Sequence, residues 1–378
     1  MHSRAGGVTG RVSERLADFP WDRLAPYRRT ASAHPGGIVD LSMGTPVDPV
    51  PETVRAALAA GADRPGYPAT YGTPELREAY AAWARRRLHA EVDPAAVLPT
   101  IGSKELVAWL PTLLGLGPGD VVTFPALAYP TYEVGARLAG ATPAATDSLV
   151  SLGPGEVRLL WVNSPGNPTG RVLPTEHLRK IVSWARERGV IVASDECYIE
   201  LGWEAEPISM LHPDVCDGSA EGILVVHSLS KRSNLAGYRA GTVAGDPALV
   251  RELLEVRRHA GLMVPWPVQT AMVAALGDDE HVEWQRARYA ARRAQLRPAL
   301  ERAGWRVSHS EAGLYLWVTH PGYGDCWEQL GRLADLGILV APGEFYGAEG
   351  QHHLRTALTA TDERVGAAVD RLGSPSWP

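Results

Sequence analysis

Between residues 97 and 244 the chain alternates short apolar runs with amphipathic stretches of helical length. Val97–Ile101, Val121–Phe124, Arg158–Val162, Val190–Ser194, Ile223–Val226 and Ala240–Ala244 read as strands. Helices are predicted at Pro74–Leu88, Ser103–Leu114, Thr131–Leu138 and Pro174–Arg188. Pro74 suits the first helical turn, and Ser103 reads as a helix cap. Strands apolar on both faces need cover on both, and parallel neighbours need a crossover long enough to be a helix. The pattern therefore predicts an α/β fold, a mainly parallel sheet with helices on both faces.

Past Val264-Pro-Trp-Pro267 the pattern changes. A charge-rich helix over Asp279–Ala303, a hairpin over Trp305–Val318, a helix over Cys326–Leu336, strands near Ile338 and His353 and a last helix over Asp362–Leu372 read as a smaller α+β domain. The expected division is an N-terminal segment, 1–45, packing with the small domain; a large domain, 46–265; and a small C-terminal domain, 266–378. Residues 1 to about 12 read as a loose leader. The 378 residues, 45% hydrophobic, suffice for more than one core. A net charge of -6 without a basic block argues against nucleic acid as a partner. No apolar stretch suits a signal peptide or a membrane span. Three cysteines without zinc-ligand spacing argue for a reducing, cytoplasmic setting and no metal.

Lys231 follows the apolar run Gly222–His227, and a lysine ending a buried strand carries a desolvation cost. Bonding to an aldehyde as an imine removes that cost and makes the amine useful. Ser228 lies three residues before it and Arg239 eight after, groups that suit a phosphate-bearing aldehyde. Other polar residues fall where strands end, the edge at which doubly wound sheets gather their sites. Ser103 and Lys104 open a helix, where a phosphate or a simple cap fits equally. Asn167, between two prolines, is either a turn former or an amide fixed toward a ring hydroxyl. Asp195 ends a strand and suits a cationic ring nitrogen, with a helix cap as the other reading. Tyr198 follows three residues later and could reach the ring oxygen. Tyr129 offers an aromatic face or is simply packed. Arg355 could clamp a carboxylate, although a surface ion pair is the plainer reading.

In order and spacing, Asn167-Pro-Thr-Gly170, Asp195 with Tyr198, and Ser228, Lys231 and Arg239 resemble fold-type I pyridoxal-phosphate enzymes, the class I/II aminotransferases. The resemblance runs from Gly37 to the C-terminus. It implies that Lys231 bonds to the cofactor and shuttles the proton, and that Asp195 pairs with the pyridine nitrogen. It further implies that Asn167 and Tyr198 contact the ring oxygen, that Tyr129 stacks on the ring, and that Ser103, Lys104, Ser228 and Arg239 hold the phosphate. Arg355 and the Gly44 backbone would hold the substrate α-carboxylate, and Tyr67 would reach the phosphate of a neighbouring subunit, implying a homodimer.

Gly102–Pro111, Phe124–Tyr132, Ala193–Tyr198 and the short passage 141–163 are similar to actinobacterial N-succinyldiaminopimelate aminotransferases. Residues 147–156 leave little room for the extra helix of many relatives. The expected reaction moves an amino group from glutamate to N-succinyl-2-amino-6-oxopimelate in lysine and diaminopimelate synthesis. Arg23, Arg28, Arg29 and Lys104 are candidates for the distal carboxylates. The alternatives are another amino-acid specificity, as in secondary metabolism; a lyase or decarboxylase on the same cofactor; and, least of all, a regulator domain.

Overall fold

The computed structural model describes residues 12–148 and 157–374. The leader, residues 149–156 of the shortened passage and the last four residues lie outside the described residues. The strands are β1 (Val39–Asp40), β2 (Val97–Ile101), β3 (Val121–Phe124), β4 (Thr142–Ala145), β5 (Val157–Asn163), β6 (Ile191–Asp195), β7 (Ile223–Ser228) and β8 (Ala240–Gly245). There follow β9 (Arg306–Ser308), β10 (Tyr315–Thr319), β11 (Ile338–Leu339), β12 (Ala341–Pro342) and β13 (Leu354–Ala357).

Seven strands form the main sheet in the order β2-β8-β7-β6-β5-β3-β4. Every pairing is parallel except those of β8, which runs antiparallel to both β7 and β2. β7 and β8 are buried at every position, as expected of a sheet covered on both faces. One face packs against a core that includes Leu106, Tyr132 and Leu253, the other against one that includes Trp83, Ile181 and Met272.

Ser103 does not cap its helix. The helix runs over Gly102–Leu113, and Ile101 sits at the cap position with no side-chain bond. Three helices without a counterpart in the sequence reading complete the cover: Glu52–Ala60, Pro247–Ala260 and Trp266–Gly277. The last, Trp-Pro-Val-Gln-Thr-Ala-Met-Val-Ala-Ala-Leu-Gly, packs against Glu52–Ala60 and the helix Pro74–Leu88 in the core of the large sheet. With no polar stripe along it, it shows none of the periodicity that marks an amphipathic helix.

A third core joins Leu24, Ala31, Val39 and Leu41 to Leu296, Leu316 and Leu354. β1 pairs with β11, while β12, β13, β10 and β9 form an antiparallel sheet. The N-terminal segment thus packs with the C-terminal module. Asp48, just past that segment, bonds to the long helix Glu280–Arg302, accepting from Arg288 at 2.7 Å, from Arg292 at 2.6 and 2.8 Å and from Gln285 at 2.8 Å. No described helix is long and apolar enough to cross a membrane.

Candidate active site

β2, β5, β6 and β7 end at the same edge of the sheet, and a cavity of about 430 Å³ opens there. Ser103, Lys104, Tyr129, Asn167, Asp195, Tyr198, Ser228, Lys231, Arg239, Gly44 and Arg355 all line it. Residues separated by more than three hundred positions meet there, many of them at or just past the ends of strands.

Lys231 lies on the short helix Leu229–Arg232 directly after β7, and its ammonium donates to the carbonyl of Gly44. Burial lowers its pKa from the usual lysine value; the charges of Arg355 and Arg239 push the same way, while Tyr315 and Cys197 oppose. Ser228 caps that short helix, accepting from the Ser230 amide at 3.1 Å. Asp195, at the end of β6, is buried. Burial raises its pKa, while its bonds with Cys197 and Tyr132 hold the rise back. The hydroxyl of Tyr132 donates to Oδ2 at 2.8 Å, and the amide of Cys197 to Oδ1 at 3.2 Å. A buried carboxylate facing a cavity with no cation bonded to it suits a cationic ligand atom.

Opposite lies the anion side. Gly102 has φ +72, and a Cβ there would come within 2.4 Å of Arg239 Nη2. Glycine therefore lets the guanidinium lie against the start of the helix Gly102–Leu113, whose first amides have no partner inside the helix. Ser103, Ser228, Arg239 and those amides form a donor set suited to a phosphate. Lys104 stands at the rim, its Nζ 5.8 Å from the Phe19 ring and 5.9 Å from that of Tyr129; burial and the charge of Arg239 lower its pKa.

Arg355 is not a surface ion pair. It is 3% exposed, held by Asn167 Oδ1 at 2.9 Å and the Ser42 carbonyl at 2.7 Å, with its guanidinium 4.0 Å from the Tyr315 ring centroid. Each Nη carries a second N–H beyond the one so used, and Arg355 lines the cavity, so the fork can still receive a carboxylate. Asn167 is itself fixed by its neighbour, its amide donating to Asn163 Oδ1 at 2.7 Å.

Tyr67 is 91% exposed and does not reach the cavity of its own chain. Arg23 pairs with Glu344, Arg28 with Asp40, and neither these nor Arg29 lines the cavity. Several participants escaped the sequence reading. Tyr132, Asn163 and Tyr315, whose hydroxyl lies 3.0 Å from that of Tyr198, support the predicted residues. Phe19, Trp21 and Met43 wall the entrance. Tyr132 stood in view beside Tyr129, and Asn163 ends β5 four residues before Asn167; the others carried no local signal, being brought in by tertiary packing.

The residues present fit pyridoxal phosphate: an amine for the aldehyde, a carboxylate for the ring nitrogen and a glycine-opened cradle for the phosphate. Fold and cavity together define a class, the pyridoxal phosphate-dependent enzymes of fold type I. Within that class, the family model for aminotransferase class I and II matches residues 37–372, and the chain belongs to that family.

It is 61% identical over 94% of its length to the 4-dedimethylamino-4-oxo-anhydrotetracycline transaminase of Streptomyces rimosus, covering 99% of that protein. It is 62% identical over 98% of its length to a probable aminotransferase of Mycobacterium tuberculosis, covering 89% of that protein. Among solved structures, a probable N-succinyldiaminopimelate aminotransferase of Thermus thermophilus superposes with a TM-score of 0.85 at 29% identity, over 94% of this chain and 99% of the other.

Proposed function

We propose that this aminotransferase moves the amino group of glutamate to N-succinyl-2-amino-6-oxopimelate, serving diaminopimelate and lysine synthesis. The observation that carries amino transfer from an α-amino acid is the buried, carboxylate-free Arg355 facing the same cavity as Lys231 and Asp195. A clamp for a carboxylate beside a lysine of lowered pKa holds an amino acid with its Cα near the base. The bound cofactor supplies a ring that absorbs negative charge from the substrate Cα. Asp195 keeps that ring protonated at nitrogen, with Tyr132 and the Cys197 amide holding the carboxylate in place. Nζ of Lys231 is the base that would take the proton from the substrate Cα and carry it. Tyr198 and Asn167 would bond the ring oxygen, Tyr129 would offer its face to the ring, and Ser103, Ser228 and Arg239 would hold the phosphate. The Gly44 carbonyl orients the lysine.

For the acceptor, Lys104 is the cation at the rim that remains for a distal carboxylate, and the likeness to the Thermus thermophilus protein supports that reading. A second reading takes a bulky ring ketone as acceptor. The aromatic entrance of Phe19 and Trp21 and the Streptomyces rimosus relative favour it. We read the active form as a homodimer in which the exposed Tyr67 reaches the partner's phosphate, and its setting as the cytoplasm, in keeping with three free thiols. The body that holds the cofactor begins at residue 46 and takes in the helix Trp266–Gly277; residues 1–45 belong with the remaining C-terminal module.

Borohydride reduction of the yellow protein and peptide mapping test the first step, with a pyridoxyl adduct expected on Lys231. Glutamate and N-succinyl-diaminopimelate are both expected to bleach the visible band of the loaded protein. If both leave it unchanged while an unrelated amine bleaches it, the acceptor assignment fails.

A further inference from the structure

Beside the phosphate cradle lies an ion pair, buried on its arginine side, that the reaction itself does not use. Glu105 sits in the first turn of the helix Gly102–Leu113, one residue after Lys104. Its Oε2 accepts from the Ile101 amide at 3.3 Å, taking the donor that precedes the cradle and leaving the next ones free. Arg257, on the helix Pro247–Ala260, is 0% exposed and donates to both oxygens of Glu105, Nη1 at 2.8 Å and Nη2 at 3.0 Å. Nη2 also reaches the Leu262 carbonyl at 3.5 Å.

A carboxylate in a first helical turn ordinarily gains from the positive end of the helix dipole. Here an anionic ligand has the same claim on that end. An uncompensated Glu105 would repel a phosphate ester at close range and in a poorly solvated place. The two-pronged pairing both neutralises the carboxylate and fixes its plane, so that it holds the Ile101 amide. We infer that Arg257 is a positioning residue for the phosphate cradle: by holding and neutralising Glu105 it keeps the start of this helix receptive to a phosphate ester. The inference rests on the cofactor reading given above.

The test compares affinities of the cofactor-free protein for pyridoxal phosphate and for pyridoxal, which lacks the phosphate. In Arg257→Met the dissociation constant for pyridoxal phosphate is expected to rise about tenfold or more, while that for pyridoxal stays within about threefold. Arg257→Met leaves a carboxylate half-enclosed and Glu105→Gln leaves a buried guanidinium without its counter-charge, so the double variant, which removes both charges, accompanies the two single ones. Glu105→Gln keeps an acceptor for the Ile101 amide and is expected to bind pyridoxal phosphate at least as tightly as the parent. Glu105→Gln with Arg257→Met is expected to return to within about threefold of the parent, as removal of both charges of a pair should. Equal losses for pyridoxal phosphate and pyridoxal, or a double variant no better than Arg257→Met, overturn the inference and leave the cofactor reading intact. A parent protein that binds both compounds equally removes the phosphate cradle itself, and both readings fall together.

Discussion

Arg355 shows how far one side chain's surroundings alter its meaning. In the sequence it is an arginine in a strand; in the fold it is fixed by Asn167 and Ser42 and lies over Tyr315. Replacing it with Met removes the clamp for the α-carboxylate. kcat/KM for the amino donor is expected to fall by about 2–4 kcal/mol, mostly through KM, in steady-state assays. Asp195 makes a different prediction. Its folded pKa lies above the ordinary 3.8, so its contribution to stability is full below that value and is lost as pH rises through the raised one. At neutral pH the cofactor-free protein carries this cost, and a cationic ring nitrogen relieves it. Asp195→Asn is therefore expected to stabilise the cofactor-free protein by about 0.5–2 kcal/mol in urea melts at pH 7 while weakening cofactor binding. Lys231, Asp195 and Ser228 were legible because each interrupts or ends an apolar strand. Phe19 and Tyr315 were not, since nothing in the chain near them tells which distant strand ends they face.

Among the elements, the turn from β2 into the helix Gly102–Leu113 is the most demanding. A side chain at Gly102 must adopt φ +72 and displace Arg239. Gly102→Ala is expected to cost about 1–2 kcal/mol of stability for the left-handed backbone alone, and to lower affinity for pyridoxal phosphate more than for pyridoxal. Calorimetry and titration separate the two effects. Regular elements with a clear period were placed closely from the sequence: the helix Pro74–Leu88 and the strands β2 and β3 match their expected bounds. The helix Trp266–Gly277 was not, because Val273 and Ala274 on its half-buried side are as apolar as its buried face, which erases the polar stripe from which a helical period is read. The direction of β8 was equally hidden. Apolar residues make a strand buried, but they do not say which way it runs.

At the scale of the whole molecule, Asp48 joins the stretch that follows the N-terminal segment to the long helix Glu280–Arg302. Burial alone would raise its carboxyl pKa, yet hydrogen bonds from Arg292, Gln285 and Arg288 bring it below 3.8. A lowered acid pKa contributes stability that is present above the unfolded value and lost as pH falls through the folded one. Asp48→Ala leaves the buried Arg292 without this partner, and about 3–5 kcal/mol of stability is expected to be lost at neutral pH, with less difference from the parent below pH 3.8, in denaturant melts across pH. Phe19 and Trp21, on the N-terminal segment, line the same cavity as the strand ends of the large sheet.

The reversal of β8 has an effect on the rest of the barrel-free sheet. Because it runs against β7 and β2, pairing Gly241 with Ser228 and Ala240 with Ile101, the entry into β8 meets the exits of its two neighbours. Chemistry is thus confined to a single rim, and the turns that lead into β3, β6 and β7 lie along the other. Gly119, Gly189 and Gly218 mark those turns, each with open space where a side chain would point. That idle rim is where the gene can lengthen, be tagged or be cut and rejoined at no expense to turnover.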